Sequence, residues 1–247
     1  MPIPQLASEN HKLGMLDGLR GLMALWVLLG HSCILTGFYI PVLSSPGDAV
    51  QGFMILSGFL MTYHYILREP KEPWGAWTTW TAFWTRRYFR ITPLYFLVLI
   101  PTFLLMPRYV FWRSRLDQLH GTVLRFGGMP TLNWLNLFVH ASYIYGLLPR
   151  YCSSLVIPDW SISLEMQFYF VFPFLMILSA RIGWAWLSAL CAGVWLVAHA
   201  SGVSHSFVEP SPLYISIIWF LIGMLWASHF LKPARRNQFA IAGCALA

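Results

Sequence analysis

Charge is what this chain has least of. Only 10% of its 247 residues are Asp, Glu, Lys or Arg, against about a quarter in soluble domains. A water-facing globule is thereby excluded. The 57% hydrophobic content and mean hydropathy of +0.60 point instead to an all-α, polytopic transmembrane bundle. Acids are scarcer than bases, 9 against 16, for a net charge of +7. Most of the basic residues flank apolar runs, where topology and anionic headgroups account for them, so no nucleic-acid partner is expected. Cysteine is also sparse: Cys33, Cys152, Cys191 and Cys244 show no paired spacing and no C-x-x-C, and no metal site is expected. Cys33, Cys191 and Cys244 lie in apolar runs and read as small hydrophobes. The sequence has no internal repeat, no low-complexity tract and no soluble second domain, so residues 1–247 read as one transmembrane domain. A signal-peptide pattern is missing as well. The polar lead, residues 1–14, carries His11 and Lys12 and reads as cytoplasmic, running into an uncleaved first span. Aromatics, by contrast, are abundant. The 13 Trp and 11 Tyr cluster near expected span ends, as interfacial belts do.

Apolar runs long enough to cross a bilayer fall at about 16–39, 49–67, 161–179, 184–199 and 213–231, with another beginning around Arg87. The connection 40–48 holds Pro41, Pro46 and Gly47 and no Lys or Arg, as an outer turn would. Residues 68–87 read as a cytoplasmic loop, with 74–84 as an amphipathic interfacial helix. The basic stretch 107–128 reads as a loop; if span 3 exits outward, it runs against the positive-inside expectation. The run 131–148 is short and carries Asn133, Asn136 and His140. Lys232, Arg235 and Arg236 lie inside only if an even number of spans precedes them, which favours a re-entrant or tilted 131–148 over a crossing. The fold expected is a bundle of six to eight membrane segments in a plasma membrane (bacterial inner membrane), N-terminus inside, with lipid as its surroundings. Residues 237–247 resemble the first turns of a further span, so the chain is expected to be a portion of a longer membrane domain.

Several ionisable and small residues lie inside these runs. Arg20 and His31 are eleven apart; eleven steps return to within about 20° of the same helix face, roughly 16 Å along the axis. They read either as a topology anchor plus a hydrogen-bonded core histidine or as a functional stripe. Ser57 and Gly58, mid-span in FMILSGFL, allow close helix packing or leave room for a ligand. Arg87 and Arg90 share a helix face, with Arg86 beside them. They are topology anchors or a phosphate clamp, since guanidinium forks match phosphate oxygens. Glu165, about one turn into an apolar run, is an ion-pair partner or a site residue. Asp159 or Ser161 can cap the helix that opens there.

Four stretches align with one family. LDGLRGLMALWVLLGH, FMILSGFL, RRYFRITPLYFL and WSISLEMQFYFVFP, in that order over residues 16–173, resemble the signature blocks of the acyltransferase-3 family of integral membrane acyltransferases. Gln51 and Met166 stand where many members carry acids. The resemblance implies about ten spans in the complete domain. It also implies transfer of an acyl group, usually acetyl from acetyl-CoA, to a hydroxyl of a cell-envelope glycan or similar acceptor. On that footing Arg86, Arg87 and Arg90, with Ser57 and Gly58, would bind the acyl-CoA. His31 would act as general base or acyl carrier, Arg20 would orient the donor or stabilise the oxyanion, and Glu165 would pair with an Arg or orient His31. The rival from another class is a proton-coupled transporter or flippase for a lipid-linked or anionic substrate, using the same intramembrane charges.

Overall fold

A computed structural model of the chain describes residues 3–120 and 132–244, with side chains over 14–112, 114–115, 118 and 132–231. Among these residues the regular structure is entirely helical: α1 (Ile3–Thr36), α2 (Pro46–Arg68), α3 (Trp77–His120), α4 (Trp134–Ala141), α5 (Trp160–Ala200) and α6 (Leu213–Cys244), with short 3-10 turns at Ile144–Leu147 and Val203–Ser206. Five stretches are long and apolar enough to cross a membrane: Gly14–Thr36, Pro46–Arg68, Trp77–Trp112, Trp160–Ala200 and Leu213–Leu231.

Five is below the six to eight expected, and α5 explains the difference. Its 41 residues would rise about 60 Å, twice the roughly 30 Å hydrocarbon core. Gly183 breaks it with φ 83° and ψ 161°, a conformation that a glycine tolerates. The expected spans 161–179 and 184–199 are therefore two arms joined at Gly183. The run 131–148 does not cross as a helix: α4 has eight residues, about 12 Å of rise.

Two expected boundaries need correction. The separate interfacial helix over 74–84 is absent; Trp77 starts α3, which runs on unbroken through the arginines. Thr79 Oγ1 and Trp80 Nε1 donate to the carbonyls of Pro73 and Trp74 and tie its first turn. The stretch 107–120 is not a loop but the end of α3. It lacks glycine after Pro107, and Arg115 stacks on Phe111 one turn earlier, 5.5 Å from the ring. The remainder of the basic stretch, residues 121–128, lies outside the described residues, as do the side chains of Lys232, Arg235, Arg236 and Cys244.

The chain divides into two compact units. The first comprises residues 1–67 and 219–247. Gly37 (φ 71°) stops α1, and the Phe38 amide reaches back to the Cys33 carbonyl at 3.1 Å, a glycine C-cap. Pro46 and Asp48 open α2, where a fixed φ and a negative charge both favour a helix start. Met23, Ala49 and Leu56 form one core cluster, and Phe59, Tyr63, Ala227 and Leu231 another. Leu22, Leu25 and Leu28 of α1 are exposed, as suits a helix bathed in lipid.

The second unit comprises residues 68–218. Here α3 and the first arm of α5 run antiparallel. Trp80 meets Phe174 at 5.1 Å, Trp84 Nε1 donates to the Tyr169 carbonyl at 3.1 Å, and Tyr95 reaches Asp159 at 2.8 Å. Tyr95, Leu99, Phe103 and Met106 of α3 form a core stripe with Val139, Tyr145 and Leu155. Their spacing in sequence keeps them on one helix face.

Candidate functional site

The expected site residues fall into both units. Arg20 and His31 both lie on α1, an uninterrupted helix, and both are partly buried. His31 Nδ1 lies 2.8 Å from the Val27 carbonyl. A carbonyl only accepts, so Nδ1 carries a proton, and in the neutral ring Nε2 then presents its lone pair. Local helix geometry alone thus selects the tautomer a general base needs.

Ser57 and Gly58 are both buried in α2. A Cβ on Gly58 would collide with the Phe220 carbonyl, and one on Gly223 with the Ile55 carbonyl. The pair lets α2 and α6 approach backbone to backbone, so the structure places Gly58 in helix packing.

Arg87, Arg90 and Glu165 come together in the second unit. The Arg87 guanidinium sits between the rings of Phe83 and Tyr169, 5.7 and 5.4 Å from their centroids. Glu165, Arg90 and Arg68 are within electrostatic range of it, and the Tyr169 hydroxyl hydrogen-bonds Glu165. Arg87 and Arg90 thus form a cationic pair beside the Glu165 carboxylate, a pair whose forks suit phosphate oxygens. Arg86 departs from this group. Its Nη1 and Nη2 fork onto Glu72 at 3.1 and 2.7 Å, so an exposed ion pair accounts for it. Because α3 begins at Trp77, Arg87 lies ten residues in, about 15 Å along the axis, deeper than a mouth-of-the-span position.

A second polar cluster, not singled out from the sequence as a site, surrounds the end of α4. Asp159 occupies the N-cap position of α5 but makes no side-chain cap bond. The capping expectation for Asp159 is therefore corrected: its carboxylate accepts from the Tyr95 hydroxyl at 2.8 Å and lies 2.9 Å from His140 Nδ1. His140 Nε2 lies 3.1 Å from Ser154 Oγ, and the His140 ring stacks on Tyr145 at 4.1 Å. Asn136, His140, Ser154 and Asp159 are at most 3% exposed. Burial pushes the Tyr145 hydroxyl well above its ordinary pKa, with Asp159 adding to the shift. The signal available in sequence was a short apolar run holding Asn136 and His140, followed by an Asp just before Trp160. Nothing local shows that these residues meet.

The block that follows Trp160 also has a structural task. Ser163 Oγ donates to the Tyr143 carbonyl at 2.6 Å and accepts from the Gly146 amide at 3.2 Å. Gln167 Nε2 donates to the Ser211 carbonyl at 3.0 Å, and its Oε1 accepts from the Leu213 amide at 2.9 Å. These bonds hold the α4–α5 connection and the start of α6 in place. Beside them is a cavity of about 790 Å³, lined chiefly by apolar residues such as Ile144, Met166, Phe170, Leu190 and Val194, with Tyr88 on its wall. Among the described residues no group of three or more His, Cys, Asp or Glu is placed to hold a metal ion.

Residues 14–247 match the model of a family described as an acyltransferase domain. The chain is 23% identical to Nose resistant to fluoxetine protein 6 of Caenorhabditis elegans, an alignment covering 99% of this chain and 32% of that protein. It is 29% identical to "Putative membrane-bound transacylase BcsY" of Komagataeibacter xylinus, over 62% of this chain and 34% of that protein. The chain thus spans about a third of the length of the curated relatives it matches. No solved structure matches it. The family match covers nearly the whole chain, and the apolar helices and the four sequence blocks agree with it: the protein is an integral membrane protein belonging to the acyltransferase-3 family.

Proposed function

We propose that the protein moves an acetyl group from acetyl-CoA to a hydroxyl of a cell-envelope glycan or similar acceptor. The observation that carries this reading is the tautomer fixed at His31. With Nδ1 bonded to the Val27 carbonyl, Nε2 takes a proton from the acceptor hydroxyl as that oxygen attacks the thioester carbonyl. The thiolate of coenzyme A leaves and is protonated. The Arg87–Arg90 pair supplies the phosphate contacts of the donor, its orientation set by Tyr169 and Glu165. Arg20, on the same helix as His31 but about 16 Å along the axis from it, orients the donor.

The test follows labelled acetyl-CoA in membranes carrying the protein, beside His31→Ala. Label passing to a glycan fraction, reduced about 10²–10⁴-fold in the variant, is the expected result. Equal transfer by both would remove His31 from the chemistry. No transfer by either, with both folded, would favour a transporter.

A further inference from the structure

Ser154, His140 and Asp159 stand in the order hydroxyl, imidazole, carboxylate. Oγ to Nε2 is 3.1 Å, and Nδ1 to Oδ2 is 2.9 Å. This is the constellation that activates a serine in acyl-transfer enzymes of unrelated folds, recognised by geometry rather than by sequence position. With the Asp159 oxygen accepting from the ring, the proton sits on Nδ1, and in the neutral ring the lone pair on Nε2 faces Ser154. The Tyr95 hydroxyl donates to the same carboxylate oxygen at 2.8 Å and holds it in place. Ser154 Oγ has two other acceptors in reach, Asn136 Oδ1 at 2.7 Å and the Tyr151 carbonyl at 3.0 Å. The hydroxyl therefore turns among three partners in a site that excludes water.

We propose that Ser154 is a nucleophile that takes the acyl group from the donor, with His140 as its base and Asp159 as the residue that positions His140. The proposal rests on the acyltransferase reading and replaces the direct attack of the acceptor on the thioester with two steps through Ser154. In the step proposed, Ser154 Oγ attacks the thioester carbonyl and His140 Nε2 takes the hydroxyl proton. The carbon–sulfur bond breaks and the thiolate receives the proton, so an oxygen ester on Ser154 and free coenzyme A result. An acceptor hydroxyl then attacks the ester, and Ser154 recovers its proton through His140. Distance along the scaffold allows it. Tyr95 lies eight residues beyond Arg87 on α3, about 12 Å along the axis, which the extended pantetheine arm of a donor held at Arg87 spans. Burial suits an acyl-serine, because Ser154 is only 2% exposed and water that would hydrolyse the ester is kept out. Residues 149–159, which carry Ser154, have no helix of their own and are the part of the wall that must yield to admit the thioester.

The experiment incubates the membrane-embedded protein with labelled acetyl-CoA and no acceptor, then maps the label by peptide mass spectrometry. The expected result is an acyl ester on Ser154 that is chased onto an added hydroxyl acceptor. Ser154→Ala should carry no label. Ser154→Cys should carry it as a thioester cleaved by neutral hydroxylamine, a rescue that a merely structural serine would not show. Asp159→Asn should slow acylation by about 10⁴-fold. Label on another residue, or undiminished transfer to acceptor by Ser154→Ala, overturns the proposal and leaves the acyltransferase reading standing. No label on protein or acceptor in any variant overturns both.

Discussion

Two histidines of this protein are held in different ways. His31 is held by its own helix, through one bond to a carbonyl four residues back. His140 is held by tertiary structure: a carboxylate 19 residues away, a hydroxyl 14 residues away and a stacked tyrosine ring. The first would keep its tautomer in any uninterrupted helix. The second acquires its state only when α3, the end of α4 and the start of α5 assemble. Removing the His31 side chain therefore removes a reactive group, whereas disturbing His140 also removes a clasp between three elements.

The two histidines should differ most in what they contribute to stability. Asp159→Ala leaves His140 and Tyr95 buried without their shared acceptor and should cost on the order of 3 kcal/mol. His31→Ala should shift the thermal midpoint little. Unfolding followed in the same detergent compares the two directly, and equal shifts would erase the distinction. Next in size is the first unit's own tertiary contact. Gly58→Ala forces a methyl into the Phe220 carbonyl and should destabilise by about 1–3 kcal/mol, without a specific loss in donor affinity. A loss of donor affinity at an unchanged midpoint would restore Gly58 to a binding role.

Donor affinity probes the second unit from another side. Replacing Arg87 and Arg90 together with Lys should weaken acetyl-CoA binding by about tenfold, because a point charge lacks the fork. Arg86→Lys should leave it nearly unchanged, since Arg86 is committed to Glu72. Titration of the variants with acetyl-CoA decides it. The smallest effect concerns burial without assembly into a network. Burial raises the Glu209 carboxyl above its ordinary pKa, so the folded state holds that proton to higher pH than the unfolded chain does. Its contribution is present below the ordinary value of about 4.3 and is lost as pH rises through the folded value. Glu209→Gln should flatten this fall in a pH series of melting midpoints.

Much of the fold was legible because membrane spans are written in composition: length and apolarity suffice to place them. The merging of 161–179 with 184–199 was not, since only backbone geometry at Gly183 (φ 83°) shows one helix breaking into two arms. The end of α3 was misjudged because basic residues suggested a loop where helix propensity prevailed. Among the candidate residues, Arg87 and Glu165 were each visible as charges in apolar runs. Their meeting, and the part of Tyr169 in it, required two helices to pack antiparallel.

Whatever one helix or one apolar run contains can be read from the chain alone. The crossing segments and the Arg20–His31 stripe follow from periodicity and spacing, and the four ordered blocks from their resemblance to one family. Only the tertiary structure decided that Tyr95, His140, Ser154 and Asp159 form one buried network and that Arg86 leaves the cationic group for Glu72. The physical reason is the same in both cases. A local pattern fixes the direction of a side chain about its own helix, but which partner fills that direction is chosen by the packing of segments far apart in the chain.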